Sequence, residues 1–232
     1  MNGELPLSAI GANDRALVVD QVFLDLYSKI VSMVLVPGTK LSEVEVAKAM
    51  AVSRQPVRDA FFRLSKLGFL EIRPQRGTIV SLISKQSVTQ AAFIRMALEI
   101  ETVRKACDKL SDSDMDALEE ILKQQKKASD AGDKKAFHEL DDLFHRQICE
   151  RAGLGFVWSL IREQKAHMDR VRILSLDYGC NQAFEEHQRV FFALRARNEE
   201  QAVSLMRNHL TTILQHTLRI STEHTVYFAD ES

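Results

Sequence analysis

Apolar residues recur every three or four positions along most of this chain, and interruptions of that rhythm mark its joints. From Leu17 to Leu35, Val18, Val22, Leu26, Ile30, Met33 and Val34 keep helical spacing, and Pro37-Gly38 closes the run. A short helical pattern follows at Glu43–Met50, then a tight connection at Ala51-Val52-Ser53, then a longer helical pattern at Arg54–Leu67. The rhythm then changes: Phe69–Arg73 and Thr78–Leu82 read as two short β-strands joined by Pro74-Gln75-Arg76-Gly77. Ser81–Ser87 is a polar joint. Beyond it the pattern is helical to the end, at Val88–Leu110, Asp112–Ala131, Lys134–Ala152, Phe156–Leu176, Gln182–Arg197 and Glu199–Thr222. Ser111, Gly132, Gly153 with Gly155, Gly179 and Asn198 supply the breaks. Residues 1–14 show little periodicity and are expected to form a loose tail. The expected fold is mainly α. A helix-turn-helix with a two-stranded wing takes residues 15–82, and an antiparallel all-α bundle of about six helices takes residues 83–232.

The helix at Arg54–Leu67 has a divided face. Ser53 stands where an N-cap belongs, and Pro56 is tolerated so near a helix start. Val57, Ala60, Phe61 and Leu64 share the inward side, which leaves Arg54, Gln55, Arg58 and Arg63 pointing outward. A helix that leads with Arg and Gln can enter a DNA major groove, where Arg pairs with guanine and Gln with adenine through two hydrogen bonds each. Arg76 and Gly77, at the wing tip, suit a backbone that approaches a phosphate closely. Charge alone would fit an ordinary solvated face. The order helix, turn, helix, wing is what points to nucleic acid.

The stretch SRQPVRDAFFRLSKLGFLEIRPQRGTIV resembles the winged helix-turn-helix of the GntR family of bacterial transcription regulators. Members typically show a Ser-Arg-x-Pro-Val-Arg core, a Leu-x-x-x-Gly-Leu-like turn and an Arg-Gly wing; here Phe69 replaces the commoner Leu. The resemblance implies that Ser53, Arg54, Gln55, Arg58, Arg76 and Gly77 contact double-stranded operator DNA.

In the second half the histidines carry the chemistry. Phe137, Leu140, Phe144 and Ile148 form the apolar stripe of the Lys134–Ala152 helix, and Asp141 and His145, four residues apart, border it on one side. His187 sits among Ala183, Phe184, Val190, Phe191 and Leu194, and His209 among Ala202, Leu205, Met206 and Ile213. Three helices thus direct ligand-type groups into one core. A single buried His is commonly just a hydrogen-bonded core residue. Burying several imidazoles and a carboxylate without partners is costly, and a metal ion would satisfy them together. One Asp and three His suit Zn²⁺, Ni²⁺ or another divalent first-row ion.

Asp141-Asp-Leu-Phe-His145, Glu186-His187 and Met206-Arg-Asn-His209 resemble the ligand-binding FCD domain of the FadR subfamily. Many members bind a divalent metal through an Asp, the His four residues later and two further His. That pattern implies the ligand set Asp141, His145, His187 and His209, with neighbouring Asp142 the easiest residue to mistake for a ligand. Arg95-Met-Ala-Leu-Glu99 resembles the subfamily's Arg-x-x-Leu-Glu run, whose Arg approaches a ligand carboxylate; the alternative is a plain Arg95–Glu99 helix pair. Arg172, on a face with Trp158, Ile161 and Met168, and His216, two turns past His209, are further effector-binding candidates. His138, His167 and His224 have no place in the pattern and are expected at the surface.

Composition then narrows the setting. The chain has 232 residues, 45% hydrophobic and 27% charged, with a formal net charge of −1, so the whole molecule is not a generic polyanion binder. Between Ala51 and Val80, Arg54, Arg58, Arg63, Lys66, Arg73 and Arg76 oppose only Asp59 and Glu71, so the basic charge is local. Cys107, Cys149 and Cys180 are far apart and read as reduced thiols. No apolar run reaches the roughly 20 residues a membrane span needs, and no secretory signal is visible, so a cytoplasmic protein is expected. The function implied is a homodimeric, metabolite-controlled repressor, with a small carboxylate effector bound at the metal and coupled to the head through the Ser81–Ser87 joint. The competing classes are a metal-dependent hydrolytic enzyme fused to a DNA-binding head, and a DNA-binding protein with a purely structural metal.

Overall fold

The computed structural model describes residues 13–73 and 77–230, with side chains in the first helix from residue 17 onward. The expected tail over residues 1–14 therefore falls almost wholly outside the described residues, and so does Arg76. The chain divides into two compact units. One comprises residues through Ile30 and Val34–Ser81; the other comprises Val31–Met33 and everything from Leu82 on.

In the first unit, α1 (Asn13–Val31) buries Val22, Leu26 and Ile30. It ends four residues before the predicted Leu35, and Val34 is exposed. The backbone turns left-handed at Met33 (φ 60°), and the Leu35 N–H closes the helix end on the Lys29 carbonyl at 2.9 Å, ahead of Pro37-Gly38. The helix-turn-helix is α2 (Glu43–Ala49) and α3 (Arg54–Lys66). Val57, Ala60, Phe61 and Leu64 of α3 are fully buried, each contributing roughly 1.5–3 kcal/mol when large and apolar. The sheet contains one strand more than the pattern predicts. β1 (Lys40–Leu41) pairs antiparallel with β3 (Gly77–Val80), which pairs antiparallel with β2 (Leu70–Arg73). A two-residue strand is too short to leave a period-two signature.

The second unit is built from α4 (Lys85–Lys109), α5 (Asp112–Asp130), α6 (Lys134–Arg151), α7 (Gly155–Arg195) and α8 (Glu199–Glu223). Among the described residues it has five α-helices where about six were expected, because α7 runs unbroken through Gly179 for 41 residues, about 60 Å at 1.5 Å per residue. Gly179 is a contact point, not a stop: a Cβ there would lie 3.2 Å from Cε1 of His216 on α8. α4 begins at Lys85, with the Ser84 hydroxyl accepting from the Ser87 N–H at 3.1 Å, so half of the predicted polar joint is helix cap and first turn. Ser111 and Asp114 cap α5 reciprocally, and the Asp133 carboxylate caps α6. After α8 a short 3-10 turn (Thr225–Tyr227) leads into a parallel bridge between Phe228 and Ile83, which no local pattern predicts. α7 packs on α4, α5, α6 and α8 and is the spine of the unit. The main core gathers Leu118, Phe137, Phe144, Phe191, Leu194 and Met206 around it.

Candidate metal centre and DNA-reading helix

Asp141 and His145 of α6, His187 of α7 and His209 of α8 meet in the middle of the helical unit, and one ligand atom from each lies within 4.8 Å of all the others. All four are buried. The Nε2 atom of His209 is 3.2 Å from that of His145 and 3.1 Å from that of His187, and His187 Nε2 is 3.7 Å from Asp141 Oδ1. Phe144 stacks on the His187 ring at 4.7 Å and closes one side.

The outer nitrogen of each ring is held as well. Glu99 Oε2 lies 2.5 Å from His145 Nδ1, Glu186 Oε2 lies 2.8 Å from His209 Nδ1, and Gln125 Oε1 lies 2.9 Å from His187 Nδ1. An ionised carboxylate can only accept, so His145 and His209 carry their proton on Nδ1, and the Gln125 oxygen sets the same tautomer for His187. The three Nε2 lone pairs therefore face one another. Burial holds His145 and His187 below the usual imidazole range, so both stay neutral. Burial opposes the Asp141 charge, but the Arg172 guanidinium, with Arg95 adding to it, outweighs burial and keeps the carboxyl well below the usual carboxylate range.

A cavity of about 70 Å³ adjoins this centre, lined among others by Arg95, His138, Asp141, Arg172, His209 and His216. The three effector-binding candidates thus share one cavity with two of the metal-ligand candidates. They are not equally available. Arg172 is already held by three carboxylates: its Nη1 donates to Asp142 (3.0 Å) and Asp169 (2.8 Å), and its Nη2 to Asp141. Arg95 gives Nε to Glu99, so the plain helix pair exists, and it is buried. The expectation that His138, His167 and His224 lie at the surface needs correction, since each is half-buried and His138 lines the cavity. His138, Asp142 and Asp169 also cluster. There, however, Lys165 neutralises Asp142 (2.7 Å) and Asp169 (2.6 Å), so those carboxylates already have cations.

Ser53, Arg54, Gln55 and Arg58 are all exposed at the start of α3, and Gly77 is exposed at the start of β3 with φ 91°, a conformation that suits glycine. Ser53 does occupy the N-cap position, but its hydroxyl makes no capping bond. The third helical residue is Pro56, which lacks the N–H such a hydroxyl would accept. Arg63 is exposed as expected, but it is engaged by α1: it pairs with Asp20 at 2.6 Å and lies over Phe23. Glu43 of α2 takes Arg54 at 3.3 Å and Arg58 at 3.2 and 3.3 Å, which fixes both guanidinium groups beside each other.

The FCD domain matches residues 90–212, and the bacterial regulatory proteins of the gntR family match residues 18–80. The chain is 37% identical over 221 residues to the HTH-type transcriptional repressor RspR of Escherichia coli (strain K12), spanning 94% of this chain and 97% of that protein. This chain belongs to the GntR family. A Streptomyces ambofaciens regulator in an unstable DNA locus is 30% identical over 91% of this chain and 89% of its own length. The solved structure of E. coli McbR/YncC shares the fold, with a TM-score of 0.70 at 24% identity over 90% of this chain and 98% of that one. The pairing of head and FCD domain makes this a FadR-like GntR regulator that binds operator DNA. Its relatives are transcription regulators and not enzymes, which sets aside the hydrolase alternative. Among the described residues no helix is long and apolar enough to cross a membrane.

Three residues of this GntR regulator's centre escaped sequence reading. Glu99 was legible only as the partner of Arg95, and Glu186 only as the residue before His187. Gln125 continues the apolar stripe Leu118, Ile121, Leu122 on α5, and a fully buried amide on such a stripe was the available signal.

Proposed function

We propose that this GntR-family regulator is a homodimeric repressor whose hold on operator DNA is retuned by a small organic acid bound beside a divalent metal in its FCD domain. The observation that carries this is the convergence of three Nε2 atoms and one Asp141 oxygen, with the Nδ1 atoms of His187 and His209 hydrogen-bonded and that of His145 beside the Glu99 carboxylate. Lone pairs at 3.1–3.2 Å with no proton between them repel one another unless a cation joins them. Zn–N bonds of about 2.0–2.1 Å at tetrahedral angles put neighbouring ligand atoms about 3.3–3.4 Å apart, close to these separations. Asp141, His145, His187 and His209 would hold Zn²⁺ or Ni²⁺. Glu99, Glu186 and Gln125 would orient the imidazoles, as outer-sphere acceptors do for metal-bound histidines. The ion, when bound, supplies a positive site for a carboxylate, and Arg95 supplies the second.

The sign of regulation follows the relative named a repressor, RspR. A second copy is expected because one small head gives too little contact for tight specific binding. Exposed apolar side chains of the helical unit, among them Phe93 of α4 at 66% and Phe156 and Leu160 of α7 at 65% and 47%, are available to it. Ser53, Arg54, Gln55 and Arg58, with Arg76 and Gly77 of the wing, would contact the operator. Arg58→Ala should weaken operator binding about tenfold to a hundredfold in a fluorescence-anisotropy titration, while the thermal unfolding of the helical unit stays unchanged. Equal operator affinity would remove Arg58 from the contact set.

The test of the whole reading is operator release. Zinc-loaded protein bound to its operator is titrated with short carboxylic acids, and the titration is repeated after chelation. A coupling free energy of about 1–3 kcal/mol, or roughly a five- to hundredfold shift in operator affinity, is expected with zinc and not without it. A purely structural metal would leave operator affinity untouched by any acid.

A further inference from the structure

Of the buried side-chain polar atoms without a hydrogen-bond partner among the described residues, two belong to side chains that line the cavity beside the metal centre: Nη2 of Arg95 and Nδ1 of His138. Both residues line the same cavity, and the Arg95 side chain is 6% exposed. Buried polar groups left unpaired are costly, and a ligand pairing with both would relieve that cost. Arg172 is a poorer anchor, because three carboxylates, Asp141, Asp142 and Asp169, already balance its charge. Arg95 is the guanidinium with a donor to spare. His138 lies three residues before Asp141 on α6, about 4.5 Å along the helix axis at 1.5 Å per residue. A cavity of about 70 Å³ holds roughly five to seven water-sized positions when each needs about 10–15 Å³.

We propose, on the acid-sensing reading above, that the effector is a short two-headed acid: its carboxylate meets Arg95 at the metal end, and a hydroxyl, carbonyl or second carboxylate about two or three bonds away is read by His138 Nδ1. His138 is then the specificity-determining residue of this regulator. The size of the cavity sets the upper limit on the acid's length, and Arg95 and His138, which both line it, supply the two polar ends. A plain fatty acid of the same length would fill the space and leave the imidazole unpaired.

The probes are 3-hydroxypropionate and butyrate, which match in size and differ by a hydroxyl for a methyl. Calorimetric titration of the zinc-loaded full chain should show 3-hydroxypropionate binding about tenfold or more tightly than butyrate, because a site built to pair with a hydroxyl rejects the analogue without it. His138→Ala should abolish that preference, bringing the affinities for the two acids together. His138→Asn, which returns a short polar group to the same place, should restore part of the preference and shows that a loss in His138→Ala is not a folding defect. A preference that survives in His138→Ala overturns the assignment of His138 while the acid-sensing reading stands. Failure of both acids to bind the zinc-loaded wild-type chain or to release operator overturns that reading, and this inference with it.

Discussion

Glu99→Ala should destabilise the helical unit by about 3–5 kcal/mol, read as a lower denaturant midpoint, because it leaves a charged partner buried alone. Glu99 is 3% exposed, and its carboxylate lies between the Arg95 guanidinium and the His145 ring. Burial pushes its carboxyl up, but Arg95 and His145 outweigh that and bring it down to about 2. A carboxyl lowered on folding stabilises the native state above its ordinary value of 4.5, and that contribution is lost as pH falls towards about 2. The wild-type stability should therefore decline over that window, and Glu99→Ala should decline less. A paired replacement, Arg95→Met with Glu99→Leu, removes both charges at similar volume and should cost far less than Glu99→Ala alone. It should still abolish the acid response, since the anchor is gone. If Glu99→Ala cost no more than a surface substitution, the account of a buried pair supporting His145 would fail.

How much of this was legible in the sequence depends on whether a feature is local. The stripes Val57, Ala60, Phe61, Leu64 and Phe137, Phe144, Ile148 are local, and the helices fall where those stripes place them. The i, i+4 relation of Asp141 and His145 is local too, and it puts both at one point while neighbouring Asp142 turns to Lys165 and Arg172. Gly179 shows the limit. Glycine is an ordinary stop signal, yet here its role depends on His216 on another helix, and sequence spacing carries no trace of that neighbour. Ser53 shows a second limit: the cap residue was legible, but Pro56 withdraws the N–H it would bind. Arg172 lines the same cavity as Arg95, and only the three surrounding carboxylates distinguish a guanidinium whose charge is already balanced from one with an unpartnered donor. The second unit's return bridge from Phe228 to Ile83 spans most of the body in sequence and has no local signature.

His187→Ala should cost this protein its metal, the largest change expected from a single substitution. His187 is fully buried, presents Nε2 to the centre and is fixed from behind by Gln125. Its removal opens the four-ligand set and leaves the Gln125 oxygen without its donor. A ligand present at a thousandfold its dissociation constant stabilises the native state by about 4 kcal/mol, so zinc should raise the unfolding temperature of the wild type and not that of the variant. The most direct measurement is elemental analysis of zinc-loaded, exhaustively dialysed chains whose helical content has been checked by circular dichroism. The account predicts about one zinc per wild-type chain and close to none in His187→Ala, with X-ray absorption of the wild type showing nitrogen- and oxygen-donor ligands and no sulfur. A wild-type chain that retains no divalent ion, or a His187→Ala chain that retains as much as the wild type, would contradict it.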